Sequence, residues 1–282
     1  MIYHIDYLSE GLHVKGYLGL PPQLPHALSQ SMADTAGTRP GVSVKGTLAC
    51  SWRPDKEFQH PDGSTRKLPL LIYCRGGIGR VGAVRLKWIE EFAMHGFAVF
   101  APAYRGNEGS EGRDEFGGAD TMDVVNAIDW LRDIPWIDPG RFYLLGFSRG
   151  AINAAKAAVI SPVVAKLILW SGVSDLAQTY EERIDLRRMM KRVIGGSPNK
   201  VPERYLARSP LHYAEQLKIP VLIVHGTRDE QVLIGHSYRM ADRLAELGRQ
   251  VETHFYRVLK HHFPPPQHEA AVHRMCDWLM KD

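Results

Sequence analysis

The chain has 282 residues, 44% of them hydrophobic and 23% charged, with a formal net charge of +4. That length can bury a full core and suits one large α/β unit. Basic and acidic residues interleave rather than forming blocks, which argues against a nucleic-acid surface. No apolar run approaches the roughly 18 residues of a membrane span.

In chain order, YHIDYL and LHVKGYLGLP alternate apolar and polar residues, the pattern of half-buried antiparallel strands. Residues 23–67 are rich in Pro, Gly, Ser and Asp. They read as an irregular arm holding one further strand within VSVKGTLACSW. From Leu68 the character changes. LPLLIYC, FAVFAPAY, RFYLLGF, KLILWS, PVLIVHG and VETHFYRVL are short runs rich in Val, Ile, Leu and aromatics, the middle ones apolar nearly throughout, as strands buried on both faces require. Between them, VRLKWIEEFAMHG, DTMDVVNAIDWLRD, RGAINAAKAAVI, GHSYRMADRLAELG and HEAAVHRMCDWLMKD carry helical patterns. The alternation predicts an α/β fold, a mostly parallel central sheet with helices on both faces, preceded by the N-terminal antiparallel strands. Residues 1–67 pack on a core of 68–282 as one structural domain, and the charged piece at about 175–212 forms a small helical lid.

In such sheets ligands bind beyond the carboxyl ends of the strands. Four stretches there carry chemistry. Gly146-Phe147-Ser148-Arg149-Gly150 is a Gly-x-Ser-x-Gly between strand and helix, a turn that lifts a serine hydroxyl above the sheet as a nucleophile. Asp229 follows PVLIVHG and is the candidate acid; Glu230 beside it and Asp175 after KLILWS are its competitors, the latter reading more naturally as a helix N-cap. His261 and His262 follow the last strand and complete the order Ser, Asp, His of α/β-hydrolase triads. After LPLLIYC, the backbone N–H of Gly77 is a candidate oxyanion donor, with the N–H of Arg149 as the second.

These motifs resemble those of the prolyl oligopeptidase family of serine hydrolases, within the α/β-hydrolase fold. The likeness rests on YRGNEGSEGRDEFGGADTMDVVNAIDWL, WIDPGRFYLLGFSRGA, SPLHYAEQLKIPVLIVHGTRDEQV and HHF. It implies that His261, two residues before Phe263, is the base. The sequence departs from the family at the oxyanion loop, where Arg75-Gly76-Gly77-Ile78 replaces His-Gly-Gly-Pro, and after the nucleophile, where Arg149-Gly150-Ala151 stands. Too few residues precede Leu68 for even two blades of the family's β-propeller. The resemblance implies cleavage of a peptide, amide or ester bond in a small molecule or short peptide. A carboxylesterase without peptidase activity is the alternative.

Two rival readings are weaker. Gly77-Ile78-Gly79-Arg80-Val81-Gly82 matches a dinucleotide fingerprint, with Arg105 able to meet a 2′-phosphate in an NADP oxidoreductase, but this leaves Ser148, Asp229 and His261 unexplained. His268 and His273 in HEAAVH lie five apart, about 140° around a helix, so they read as a solvated face rather than a zinc pair. No cofactor or metal is expected. The cysteines Cys50, Cys74 and Cys276 are odd in number and far apart, and the N-terminus lacks a leader pattern, so a cytoplasmic setting is expected. Arg149, Arg75 and Arg105 suit a substrate carboxylate, though salt bridges to nearby acids account for them better. Neither nucleic-acid nor membrane partners are expected, and a homo-oligomer is left open.

Overall fold

The computed structural model describes residues 1–22, 26–48 and 67–281. Its strands are β1 (Ile2–Ser9), β2 (Leu12–Gly19), β3 (Val42–Leu48), β4 (Leu68–Cys74), β5 (Ala98–Pro102), β6 (Ile137–Phe147), β7 (Val164–Trp170), β8 (Val221–Gly226) and β9 (Val251–Tyr256). β1 and β2 form a hairpin, with Ile2 opposite Gly19 and Ser9 opposite Leu12. Its two-residue turn, Glu10-Gly11, has φ of 49° and 82°, the left-handed backbone whose twist matches that of the flanking strands. β3 joins β1 and β2 joins β5, both antiparallel. The remaining pairings, β5 with β4 through to β8 with β9, are parallel.

The spatial order is β3-β1-β2-β5-β4-β6-β7-β8-β9. From β4 the chain first winds outward to β5, then crosses back to β6 on the other side and continues to β9. The winding reverses beside β4 and β6, and a crevice opens beyond their carboxyl ends. Arg75 to Gly77 leave β4 at that crevice, and Ser148 leaves β6 there.

Side chains of the central strands divide with period two between two cores. On β4, Leu68, Leu70, Ile72 and Cys74 face one core while Leu71 and Tyr73 face the other. The first core is closed by α1 (His26–Gly37), α3 (Thr121–Arg132), α4 (Gly150–Ile160) and α8 (Gly235–Glu246). The second is closed by α2 (Leu86–Met94) and α9 (Pro265–Met280). Helices therefore cover both faces, as the alternating sequence pattern implies.

Between β7 and β8 the charged segment folds into α5 (Leu176–Glu182), α6 (Arg187–Ile194) and α7 (Pro202–Leu206). It has a small core of its own, in which Leu176, Tyr180, Met190, Ile194 and Tyr205 pack against Phe116, Ile152, Val173 and Val232. One sequence expectation changes. Within the arm expected to be irregular outside its strand, His26–Gly37 form α1. Its Met32, Ala33 and Ala36 are buried on the core, and Trp136 Nε1 donates to the Met32 carbonyl at 3.1 Å, so tertiary packing overrides a weak local signal. The predicted continuation of β3 through residues 49–52 lies outside the described residues. No helix among them is long and apolar enough to cross a membrane.

Trp88 of α2 stacks on Trp170 with ring centroids 4.8 Å apart and touches Phe147 and His268, joining the second core to the underside of the crevice. Trp88→Ala should destabilise the protein by about 3–5 kcal/mol. Urea unfolding followed by circular dichroism measures this, and a loss under about 1 kcal/mol would contradict so central a role.

Candidate active site

Ser148 sits where β6 becomes α4, with φ at 56°. A non-glycine residue there is strained, and its surroundings hold it in place. Its N–H donates to the Trp170 carbonyl at 2.9 Å, while its carbonyl accepts from the N–H groups of Ala151 and Val173, both at 3.1 Å. The flanking glycines have a steric reason. A Cβ at position 150 would stand 2.0 Å from the Cys74 carbonyl oxygen, and one at 146 would lie 2.5 Å from the Ala151 Cα. No side chain fits where strand, turn and helix approach so closely.

Asp229 lies in the turn after β8, buried, and His261 in the loop after β9. His261 Nδ1 is 2.7 Å from Asp229 Oδ2. With Nδ1–H donating to the carboxylate, Nε2 is left with its lone pair. Asp229 Oδ1 accepts from the N–H groups of Gln231 and Val232 at 2.8 and 3.0 Å. Burial alone would raise the Asp229 pKa, but hydrogen bonds from His225 and His261 outweigh it and hold this carboxyl far below the usual range.

His225, fully buried near the end of β8, is a partner that sequence reasoning missed. Its Nε2 lies 3.0 Å from both Asp229 Oδ2 and the Val232 carbonyl oxygen, two acceptors, so Nε2 carries the proton. Ser237 Oγ occupies its Nδ1 at 2.6 Å. The signal was present in the sequence, as a histidine four residues before Asp229 in VHGTRD.

The other candidates lie elsewhere. Asp175 caps α5, accepting from the N–H groups of Ala177 and Gln178. Glu230 is exposed, 3.7 Å from Lys260 Nζ. His262 faces Phe147 with ring centroids 5.3 Å apart and accepts from Arg85 Nη2 at 3.1 Å. Desolvation and the neighbouring Arg85 charge push its pKa down to about 4.

Gly76 and Gly77 close over the serine, and a Cβ on Gly76 would stand 2.8 Å from Ser148 Cβ. Arg75 is buried beneath them, and its Nη1 donates to the Gly76 carbonyl at 3.1 Å. In a trans peptide the N–H points opposite to that carbonyl, so the Gly77 N–H faces away from Arg75. Neither the Gly77 nor the Arg149 N–H donates to another backbone group among the described residues. The Arg149 side chain turns inward, 3.0 Å from the Gly77 carbonyl and paired with Asp114 at 2.7 Å and Asp120 at 2.5 Å. Burial disfavours its charge, but the two carboxylates outweigh that and push its pKa up.

Arg105 is likewise taken, bound to Asp123 and Glu10 at 2.8 and 2.9 Å, which removes the residue on which an NADP reading relied. His268 is buried between Trp88 and Trp170 with Glu91 at 2.7 Å, so the expectation of a solvated face holds only for His273; the two tryptophans supply the burial. No group of three potential metal ligands occurs among the described residues.

Ser148, His261, Gly76, Gly77 and Arg149 line one cleft of about 220 Å³, roofed by Thr179, Arg183, Leu186 and Met189 of the insertion. Parallel strands wound both ways from β4, with a serine raised at the reversal, are the architecture of the α/β-hydrolase superfamily, and this chain is one of its serine hydrolases. The sequence profile of the prolyl oligopeptidase family matches residues 85–282, and the chain belongs to that family. It is 43% identical over 240 residues to "Uncharacterized peptidase YtmA" of Bacillus subtilis (strain 168), covering 85% of this chain and 89% of that protein. Dipeptidyl-peptidase 5 of Porphyromonas gingivalis is 26% identical over 231 residues, 76% of this chain but only 33% of that protein. In fold, the chain resembles the acylaminoacyl peptidase of Pyrococcus horikoshii, with a TM-score of 0.72 at 19% identity over 100% of this chain and 41% of that one.

Two outcomes follow from the buried charges. Asp120→Ala leaves Arg149 short of a carboxylate and should cost about 3–5 kcal/mol in urea unfolding; a neutral result would mean Asp114 suffices. Because the folded Asp229 pKa is depressed, its stabilisation is complete above the ordinary carboxylate range, about pH 4, and fades as pH falls further. The melting-temperature gap between wild type and Asp229→Asn should therefore shrink below about pH 4, and a gap that widens there would reverse the assigned sign.

Proposed function

We propose that the chain hydrolyses a peptide, amide or ester bond of a small molecule or short peptide by acyl transfer through a Ser148-His261-Asp229 triad. The observation that carries this reading is the 2.7 Å contact between His261 and Asp229, in the same cleft as a serine held at positive φ. His261 Nε2 takes the Ser148 proton as Oγ attacks the carbonyl carbon. The oxyanion that forms is met by the N–H groups of Gly77 and Arg149. Collapse expels the leaving group, which receives the proton from His261. Water then repeats the cycle against the acyl-enzyme and restores the serine.

Asp229 holds the His261 tautomer and stabilises the imidazolium; His225 and two backbone N–H groups keep its carboxylate ionised and oriented. The insertion at 175–212 and the arm at 23–67 are the specificity elements of this reading. The sequence profile and the peptidase-named relatives favour amide chemistry, and a cleft of about 220 Å³ beneath a small helical insertion suits short substrates.

Ser148→Ala should lower kcat by about a millionfold on whichever substrate class turns over. Parallel assays on p-nitrophenyl acyl esters and peptide p-nitroanilides measure it, and retained activity would end the triad account. Turnover of esters alone would identify an esterase on a peptidase family's core. The rate should also fall on acidification as the base takes up a proton. His262, held at about 4, adds no second limb near neutrality.

A further inference from the structure

The walls of the cleft carry one sign of charge. Arg85, Arg149 and Arg183 line it together with His261 and His262, and none of the described residues lining it is an aspartate or glutamate. Two of the three arginines are already compensated. Arg149 is enclosed by Asp114 and Asp120. Arg183 grips Asp185 in a two-pronged pair at 2.9 and 2.7 Å and donates to the Gln231 carbonyl at 3.0 Å.

Arg85 differs. It is exposed at the start of α2, its guanidinium lies 5.2 Å from the Trp88 ring, and its polar partner is the neutral His262. Among the described residues no carboxylate pairs with it. Stacking on an aromatic face and one hydrogen bond to an imidazole hold the planar group in place without cancelling its charge. Its other N–H groups make no hydrogen bond among the described residues, and a planar fork of donors suits a carboxylate.

Its position says which part of a substrate would meet it. The His262 ring is 5.0 Å from that of His261, and Arg85 in turn donates to His262 Nε2 at 3.1 Å. A second hollow of about 130 Å³ runs along this same wall, lined by Arg85, Lys87, His261, His262 and Phe263 together with Glu91, whose carboxylate is taken up by His268 at 2.7 Å and Lys87 at 3.6 Å. In acyl transfer the leaving group sits against the histidine that protonates it. The wall that continues from His261 through His262 to Arg85 is therefore the leaving-group side.

We infer that Arg85 selects substrates whose leaving group carries a free carboxylate within one or two residues of the scissile bond, such as the C-terminal end of a short peptide. This rests on the triad reading above. The same cleft offers no carboxylate to a substrate ammonium among the described residues, so a free N-terminus gains nothing here. Substrates with an uncharged acyl end and an anionic leaving end match the wall best.

The test compares an N-acetylated dipeptide as its free acid with the same dipeptide as its C-terminal amide. The value of kcat/KM for each is measured with wild type, Arg85→Gln and Arg85→Glu; p-nitrophenyl acetate is assayed with wild type and Ser148→Ala. Wild type should prefer the acid by about tenfold or more, the size of one charge-assisted hydrogen bond, mainly through KM. The ratio should fall to about one in Arg85→Gln and invert in Arg85→Glu, and 1 M salt should compress it in wild type. A wild-type ratio near one, a ratio that survives both substitutions, or cleavage of neither peptide would overturn the inference while leaving a serine-dependent esterase in place. Ester hydrolysis that persists in Ser148→Ala would instead bring down the triad reading itself. Arg85 is exposed, so both variants should keep the wild-type melting temperature, which checks that any change in ratio is not misfolding.

Discussion

The rest of the site depends on one steric fact, the contact between the first turn of α4 and the end of β4. Gly150 approaches the Cys74 carbonyl so closely that no side chain can stand between them. That approach brings the loop after β4, with Gly76 and Gly77, beside the turn carrying Ser148. It also forces the serine into a left-handed conformation, which costs about 1–3 kcal/mol and persists only because neighbours over-determine it. Hydrogen bonds to Trp170, Ala151 and Val173 supply that constraint. The Ser148 turn and the glycine loop are thus products of the same close packing.

Beneath this turn lies a buried ionic cluster of Arg75, Arg149, Asp114 and Asp120. Buried charges are costly unless paired, and here each arginine also binds carbonyls of the glycine loop. The departure from the family's usual His-Gly-Gly-Pro becomes intelligible in those terms. Arg75 is a long donor that reaches under the loop and fixes its carbonyls from below, while the Gly77 N–H faces the other way. A comparable economy surrounds Asp229, whose two oxygens meet two histidines and two backbone N–H groups. Both clusters use buried polar groups to fix an orientation.

Charge is distributed unevenly across the cleft as a result. Acids are consumed below the surface, pairing Arg149 and Arg105, and Asp185 takes up Arg183. Arg85 remains at the mouth, held by an aromatic face and a neutral imidazole. The pairing of these acids leaves Arg85 as the cleft arginine with no carboxylate partner among the described residues.

Much of this could be read from the chain alone. Six short runs separated by helical patterns point to a mostly parallel sheet, and the middle ones are apolar nearly throughout because those strands are buried on both faces, whereas β9 at the edge is not. The order of Gly-x-Ser-x-Gly, Asp229 and His261 marks the site, because each residue falls at a strand's carboxyl end, where side chains leave the sheet. Local pattern could not supply α1, whose weakly amphipathic sequence becomes a helix only through packing on the core. It also could not rank His261 against His262 without the family resemblance, since adjacent histidines differ in local sequence by nothing but register. Which of them meets Asp229, that His225 shares the same carboxylate, and that Arg149 points inward to carboxylates while Arg85 meets an imidazole and an aromatic face are decided by the fold. Strands distant in sequence converge there, and desolvation makes each buried charge find a partner.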